Sequence, residues 1–362
     1  MGPTQPNGFG ANALAIDCAS VTRQVSQSLR EATARRLRRR GLLVAVSGGV
    51  DSAVCAALAV RAVGAERVFG LLLPDRDSTD SATQLGRQVC ETLGMEYRIE
   101  DISPMLDAAG CYRRRHEAVR RIFPDFAENG RMKIVMSSSP LHSEQVNFFE
   151  LVAEMPDGTQ KRRRMPLDVY LQVVAATNMK QRTRKLMEYY HAERLNYAVV
   201  GTPNRLEYEL GFFVRGGDGL ADVKPIAHLY KTQVYALARY LGVAEEICCR
   251  PPSTETYSLP QTQEEFYFAV PYAQMDLLLY ALSHGVSARD AAAATRLSED
   301  QAERVFRDIL AKRRIAAQLR QPAILMDEVD LDSSAPVPPA AAMSCVAPDD
   351  PGTPDGTPAE GV

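Results

Sequence analysis

The chain has 362 residues, 42 Lys and Arg against 45 Asp and Glu, a net charge of −3 and an apolar share of 46%. Its length gives a prior of roughly two domains, and the composition excludes a collagen, a mini-protein and a wholly disordered chain. The near-neutral charge supplies no field that would draw the molecule onto nucleic acid or an anionic membrane.

No apolar run reaches the roughly 18 residues of a membrane span, and the first ten residues lack the basic and apolar parts of a secretion signal. A cytoplasmic protein is expected. The seven cysteines include no CxxC pair and have no His at ligand spacing, which indicates neither a disulfide framework nor a zinc site.

In chain order, residues 1–13 read as a flexible lead-in and 14–40 as a helix. Its basic end, Arg35-Arg36-Leu37-Arg38-Arg39-Arg40, is read as a solvated helix terminus complementing the helix dipole. The unbroken apolar run 42–46 suits a strand buried on both faces, and apolar residues then recur at helical spacing until Gly64. Segments 68–73 and 96–99 read as further strands around an amphipathic helix at 81–93. Strands alternating with helices predict an α/β fold, doubly wound, with a mainly parallel sheet and helices on both faces.

From 110 to 175 the pattern changes. Segments 132–137 and 146–155 read as strands, Pro156-Asp157-Gly158 as a turn, and Lys161-Arg162-Arg163-Arg164 follows as a basic stretch. This predicts an inserted β-hairpin element. Helix 177–191, strand 197–200, helix 231–241 and small helices over 263–320 resume the pattern. One domain is expected over 14–325, followed by a disordered Pro- and Ala-rich tail at 326–362.

The chemistry starts at Ser47-Gly48-Gly49-Val50-Asp51-Ser52, directly after the first strand and opening a helix. A strand, Gly-bearing turn and helix present backbone N–H groups and a positive helix end to phosphate. Ser47 and Ser52 offer hydroxyls, whereas Asp51 repels phosphate unless a cation lies between, which makes it a candidate magnesium ligand. The loop has neither the Gly-Lys-Ser/Thr ending of a Walker A motif nor the GxGxxG spacing.

SGGVDS in this position resembles the pyrophosphate loop of the N-type ATP pyrophosphatases. A second block runs Gly201-Thr202-Pro203-Asn204-Arg205-Leu206-Glu207, then Gly211-Phe212-Phe213, Gly217-Asp218-Gly219, Asp222, Pro225 and Leu229-Tyr230-Lys231-Thr232-Gln233. Together with Asn178, Lys180, Arg182 and Arg184 before it, and Pro251-Pro252-Ser253, Gln261-Thr262 and Glu264 after it, this order resembles the ammonia-dependent NAD synthetase family. The resemblance covers about residues 42–105 and 175–275.

That resemblance implies the adenine nucleotide alpha hydrolase-like fold and an ATP-dependent, amide-forming ligase. The nicotinate carboxylate of deamido-NAD is adenylated and ammonia converts it to NAD, releasing AMP and pyrophosphate. It assigns Ser47, Gly48, Gly49, Val50, Asp51, Ser52, Thr202, Lys231 and Ser253 to ATP and pyrophosphate, with Asp51 and Glu207 as Mg2+ ligands. Asp51, Lys231 and Glu207 form the catalytic set, and Asn178, Arg182, Arg184 and Asp218 lie near the dinucleotide.

A homodimer is also implied. Only 46 residues precede Ser47, so free ammonia, or ammonia from a separate amidase, is expected as nitrogen source. Gln181, Lys185, Gln263 and Phe266-Tyr267-Phe268 depart from the family pattern. They keep open a related ligase for another carboxylic acid, and a non-catalytic nucleotide-binding regulator stands as a third reading.

Overall fold

The computed structural model describes residues 9–137, 141, 148–252, 256–268 and 270–327. The chain divides into two units, 1–321 and 322–362; of the second, residues 322–327 are described and form an exposed segment without helix or strand.

The first helix, α1 (Cys18–Glu31), begins where the Asp17 carboxylate accepts from the N–H groups of Ala19 and Ser20 at 3.0 and 3.3 Å. The expected helix over 14–40 is therefore shorter at both ends. Leu14 closes a separate short turn, and the helical path, widened at Ala32–Arg36, stops before Arg38, whose φ is +53°. Next come β1 (Gly41–Ala45), α2 (Val50–Val63), β2 (Val68–Leu72), α3 (Asp80–Leu93) and β3 (Glu96–Ile99). Then follow α4 (Ser103–Ala108), α5 (Cys111–Arg120), β4 (Met132–Met136), β5 (Phe149–Glu154), β6 (Gln160–Arg164), α6 (Leu167–Leu195) and β7 (Tyr197–Val200). The remaining helices are α7 (Arg205–Leu210), α8 (Lys231–Leu241), α9 (Glu245–Cys249), α10 (Tyr272–Ser283), α11 (Ala288–Thr295) and α12 (Glu299–Arg320). The last of these has 22 residues, longer than the small helices expected over 263–320.

The main sheet has the order β3-β2-β1-β7 and every pairing is parallel. Alternation along β1 explains why an unbroken apolar run was needed. Leu42 and Val44 enter the core formed with α1, α2, α3 and α8, while Leu43 enters the opposite core with α4, α5 and α6. Helix α2 is the central element of the first core, with eleven of its fourteen residues buried.

Chain order decides where a site forms. From β1 the chain moves outward to β2 and β3, then returns to the other side of β1 for β7. The sheet thus has a topological switch point between β1 and β7, where the following loops separate and leave a crevice at the carboxyl ends of the strands. Residues 46–49 and 201–204 are those loops.

The hairpin expected in the insertion is β5–β6, joined through the Asp157-Gly158 turn, and β4 widens it to a separate three-stranded antiparallel sheet. The basic stretch is itself strand β6 and lies exposed. Helix α6 starts ten residues earlier than the sequence pattern placed it, straight after Pro166. Its buried Lys180, Lys185 and Glu188 interrupt the apolar stripe by which a helix is read.

Gly48 has a φ of +78°, and a Cβ there would lie 2.3 Å from the Ala82 carbonyl oxygen on α3; Gly94 has a φ of +64° and open space around it. Gly94→Ala is expected to cost on the order of 1 kcal/mol from conformation alone. Gly48→Ala should cost clearly more, read as a lower urea midpoint, because backbone must also shift. Equal losses in the two variants would show that the close approach to α3 carries no weight.

Candidate active site

The loop after β1 turns through Gly48 and opens α2. The Ser52 hydroxyl donates to the Gly49 carbonyl at 2.9 Å and accepts from the Ser47 N–H at 3.2 Å, while the Ser47 hydroxyl lies 3.2 Å from it and accepts from Gly49 N–H at 3.3 Å. These local bonds close the turn and leave Asp51, in the first turn of α2, directed across the crevice.

Two elements meet it there. Lys231, first residue of α8 and 1% exposed, forms an ion pair with Asp51 Oδ2. The Asn204 amide Nδ2 donates to Asp51 Oδ1 at 3.0 Å. Asn204 also caps α7: its Oδ1 accepts from Glu207 N–H, and Glu207 Oε2 accepts from Asn204 N–H, both at 3.2 Å. One capping box therefore fixes the second candidate carboxylate, Glu207, beside the first.

The electrostatics follow from burial. Glu207 is held in a dry site with Asp51 nearby, which pushes its carboxyl up to about 8 despite Lys231. Burial alone would lower the Lys231 ammonium, but the Asp51 and Glu207 charges outweigh it and raise it above the ordinary lysine range. Lys231 is a permanent buried cation. Its helix is anchored by Asp276, which accepts from Thr232 N–H at 2.7 Å and from Lys231 N–H at 3.3 Å and is itself pushed up to about 6 by burial.

Gln263 completes the group. Its Nε2 donates to Glu207 Oε1 at 3.2 Å, and the Tyr272 hydroxyl donates to its Oε1. The insertion supports this residue: Leu259 N–H donates to Met132 O at 3.1 Å, Met132 N–H to Ser258 Oγ at 2.9 Å, and Gln261 Nε2 to Ile134 O. Phe266 packs against Phe149 of β5, Tyr257 and Phe212 with ring centres 5.6–6.3 Å apart. Phe266 thus packs with the extra sheet, whereas Tyr267 and Phe268 turn into the separate core formed with α7, α10 and α12.

A second charged group lies between the loop after β2 and α6. Lys180, 1% exposed, reaches Asp75 at 3.0 Å and Asp77 at 2.5 Å and donates to Thr256 O at 3.1 Å. Arg115 pairs with Asp77 at 2.6 Å. Burial acts to raise Asp77, but Arg115 and Lys180 overcome it and hold the carboxyl below the ordinary range. Asp75, Asp77 and Arg115 carried no sequence signal, since charged residues in a loop or on a charged helix read as solvated.

Of the residues assigned from sequence to the dinucleotide, Arg184 donates to Asp75 at 2.6 Å and to Leu73 O at 3.1 Å, and Arg182 to Arg215 O at 3.2 Å. Asn178 is half-buried on α6, and Asp218 accepts from Val214 N–H at 2.8 Å while burial raises its carboxyl. Thr202 is half-buried in the loop after β7. Ser253 lies outside the described residues. The structure gathers Asp51, Glu207 and Lys231 and gives the α6 arginines other partners. Asn204 and Gln263 are the members of the cluster that sequence reasoning did not place in the site.

A family model described as NAD synthase matches residues 21–152 and 133–314. The chain belongs to the NAD synthase family. The NH(3)-dependent NAD(+) synthetase of Rhizobium rhizogenes is 52% identical over 323 residues, 89% of this chain and 97% of that protein. Its counterpart from Rhizobium meliloti is 54% identical over 322 residues, 89% and 96% of the two chains. Among solved structures, NMN synthetase from Francisella tularensis aligns with a TM-score of 0.58 at 23% identity, over 86% of this chain and 99% of that one, which is a likeness of fold. The mainly parallel sheet with helices on both faces expected from the sequence is the fold observed.

The raised Glu207 carboxyl has a consequence for stability. In the metal-free protein Glu207 binds its proton more tightly folded than unfolded, so its contribution is full below the ordinary glutamate range and is lost as pH rises toward 8. Urea midpoints measured from pH 5 to 9 in the presence of chelator should fall with pH more steeply for the parent than for Glu207→Gln. Parallel profiles would refute the raised value.

Proposed function

We infer that the chain is an ammonia-dependent NAD synthetase, which uses ATP to convert the nicotinate carboxylate of deamido-NAD into the amide of NAD. The observation that carries the reading is the meeting of Asp51, Glu207 and Lys231 at the switch-point crevice beside the Gly48-Gly49 turn, in a chain 52% identical to a protein of that name. Asp51 and Glu207 fit a magnesium ion: both are oxygen donors, and their charges oppose each other strongly enough to shift Glu207. Among the described residues no cluster of three or more such side chains gathers, so substrate phosphate and water would complete the shell. When bound, magnesium would neutralise phosphate charge near the leaving group.

The reaction has two displacements. A carboxylate oxygen of the nicotinate attacks the α-phosphorus of ATP, the bond from that phosphorus to the bridging oxygen breaks, and pyrophosphate leaves with the electron pair. Ammonia then adds to the acyl carbon, loses a proton and expels AMP. Neither step needs a covalent enzyme nucleophile. Cys55, one turn after Asp51 on α2, is buried and held protonated by burial and by the Asp51 and Glu207 charges.

In this reading, the backbone N–H groups at the start of α2 and the Ser47 and Ser52 hydroxyls receive pyrophosphate. Lys231, buried and always charged, stabilises the negative charge that builds as pyrophosphate departs, and its carboxylate partners prevent it from losing its proton. Asn204 and Gln263 hold the two carboxylates in place. We assign Thr202 and Ser253 to ATP contact and Asn178, Arg182, Arg184 and Asp218 to the vicinity of the dinucleotide, on the residue order they share with the family. Arg184 would have to exchange its Asp75 contact for substrate.

The chain should form AMP and NAD in equal amounts from ATP, magnesium, ammonium and deamido-NAD. Lys231→Met is expected to lower kcat by roughly 10²-fold or more. AMP and amide formed from another acid, but not from deamido-NAD, would defeat the assignment, as would comparable turnover with glutamine as the sole nitrogen donor.

A homodimer belongs to the same reading. Leu167 and Leu171, and Leu186 and Tyr190, form pairs one turn apart on α6 and are 54–71% exposed. Large apolar side chains so disposed on one helix fit an interface. Light scattering of the active protein should give twice the chain mass, and Leu171→Glu/Leu186→Glu should shift it to the monomer; a monomeric active parent would contradict the proposal.

A further inference from the structure

A groove of about 760 Å³ lies between α1 and the last turns of α2 and α8, at the opposite ends of those two helices from Asp51 and Lys231. Arg61 stands ten residues after Asp51 and Tyr240 nine after Lys231, which separates the groove from the cluster by about 15 Å along each helix. Four arginines line it, Arg23, Arg30, Arg35 and Arg61, against the single carboxylate of Glu31. All five side chains are exposed, so their charges are available to a ligand.

The floor of the groove carries the more telling observation. Thr22 and Ser26, one turn apart on α1, are each 7% exposed, and neither hydroxyl has a hydrogen-bond partner. Thr33, buried at the end of the same helical path, behaves as helical threonines do: its hydroxyl donates to Leu29 O at 2.7 Å. A buried hydroxyl left unpaired is costly, and two side by side beneath a set of guanidinium groups supply donors for ligand oxygens.

The C-terminal end of α2 would by itself repel an anion. Arg30 covers it, donating from Nε to Ala62 O at 2.6 Å and from a terminal nitrogen to Arg61 O at 3.4 Å. Glu31 accepts from the Gln27 amide at 3.1 Å, which occupies one of its oxygens. Arg23, Arg35 and Arg61 remain to face the ligand. The ring of Tyr240, 51% exposed, offers a flat surface at the rim.

We propose that this groove binds a phosphorylated anion, held by Arg23, Arg35 and Arg61 from above and by the Thr22 and Ser26 hydroxyls from below. Guanidinium groups match phosphate oxygens in geometry and charge, and the volume accommodates a nucleotide as well as a free polyphosphate. The site is distinct from the Ser47–Ser52 loop. It gives a role to the basic end of α1, which the sequence alone reads as a solvated terminus.

Calorimetric titration of the full chain with pyrophosphate and, separately, with ADP tests this, without any competing nucleotide, the Ser47–Ser52 loop being allowed for as a second site in the fit. One site per chain beyond the loop is expected, weakened at least tenfold by Arg23→Ala/Arg35→Ala, whose turnover without added probe should match the parent. Thr22→Val/Ser26→Ala should also weaken it, which a packing role for the hydroxyls would not produce. Binding of ADP that is tighter than pyrophosphate and lost in Tyr240→Ala assigns the site to nucleotides; equal binding that ignores Tyr240→Ala assigns it to free polyphosphate. No binding of either probe beyond the loop, or unchanged affinity in the double arginine variant, overturns the proposal.

Discussion

Two carboxylates share one dry crevice, and the rest of the site is arranged to make that tolerable. Asp51 and Glu207 come from the first turns of α2 and α7, and burial together with the Asp51 charge destabilises the charged form of Glu207. Leaving either charge buried without a partner would cost several kcal/mol. Lys231 supplies the opposing charge from a position 180 residues beyond Asp51, which couples the last part of the α/β unit to its first turn. In the function proposed above, the same two carboxylates would hold a divalent cation beside the substrate phosphates.

Hydrogen bonds, rather than further charges, set the positions. Asn204 holds both carboxylates at once, and Gln263 touches Glu207 with a neutral amide. A carboxylate at position 263 would have added a third negative group to a site that already holds Glu207 partly protonated. The segment that carries Gln263 is zipped onto β4, so the additional sheet bears mechanically on the crevice although it lies outside the main sheet. The departures at 263 and 266 thus lie on a segment that the insertion holds, whereas Tyr267 and Phe268 belong to the helical core.

The fold was legible where a single physical signal dominates. The apolar runs at 42–46 and 68–73 became parallel strands because both faces of the sheet are covered, and the Gly-Gly turn after the first became the opening of α2. Legibility failed along α6, whose inward face carries Lys180, Lys185 and Glu188 in place of apolar residues. Those side chains are buried because partners lie opposite: Asp75 and Asp77 for Lys180, and a neighbouring turn for the Lys185–Glu188 pair. Local periodicity has no access to a partner a hundred residues away.

By itself the sequence singled out the Ser47–Ser52 loop and Asp51, Glu207 and Lys231 as the residues to watch, because their motif order is a property of the chain. The family followed from the same order. Only the tertiary structure decided that Lys231 closes onto Asp51, that Asn204 and Gln263 fix the carboxylates, and that Arg184 spends its charge on Asp75. The reason is that spacing along a chain encodes which elements form, whereas the distance between side chains on different elements depends on strand order. Here the return from β3 to β7 beside β1 brings the two loops together and turns separate motifs into one site.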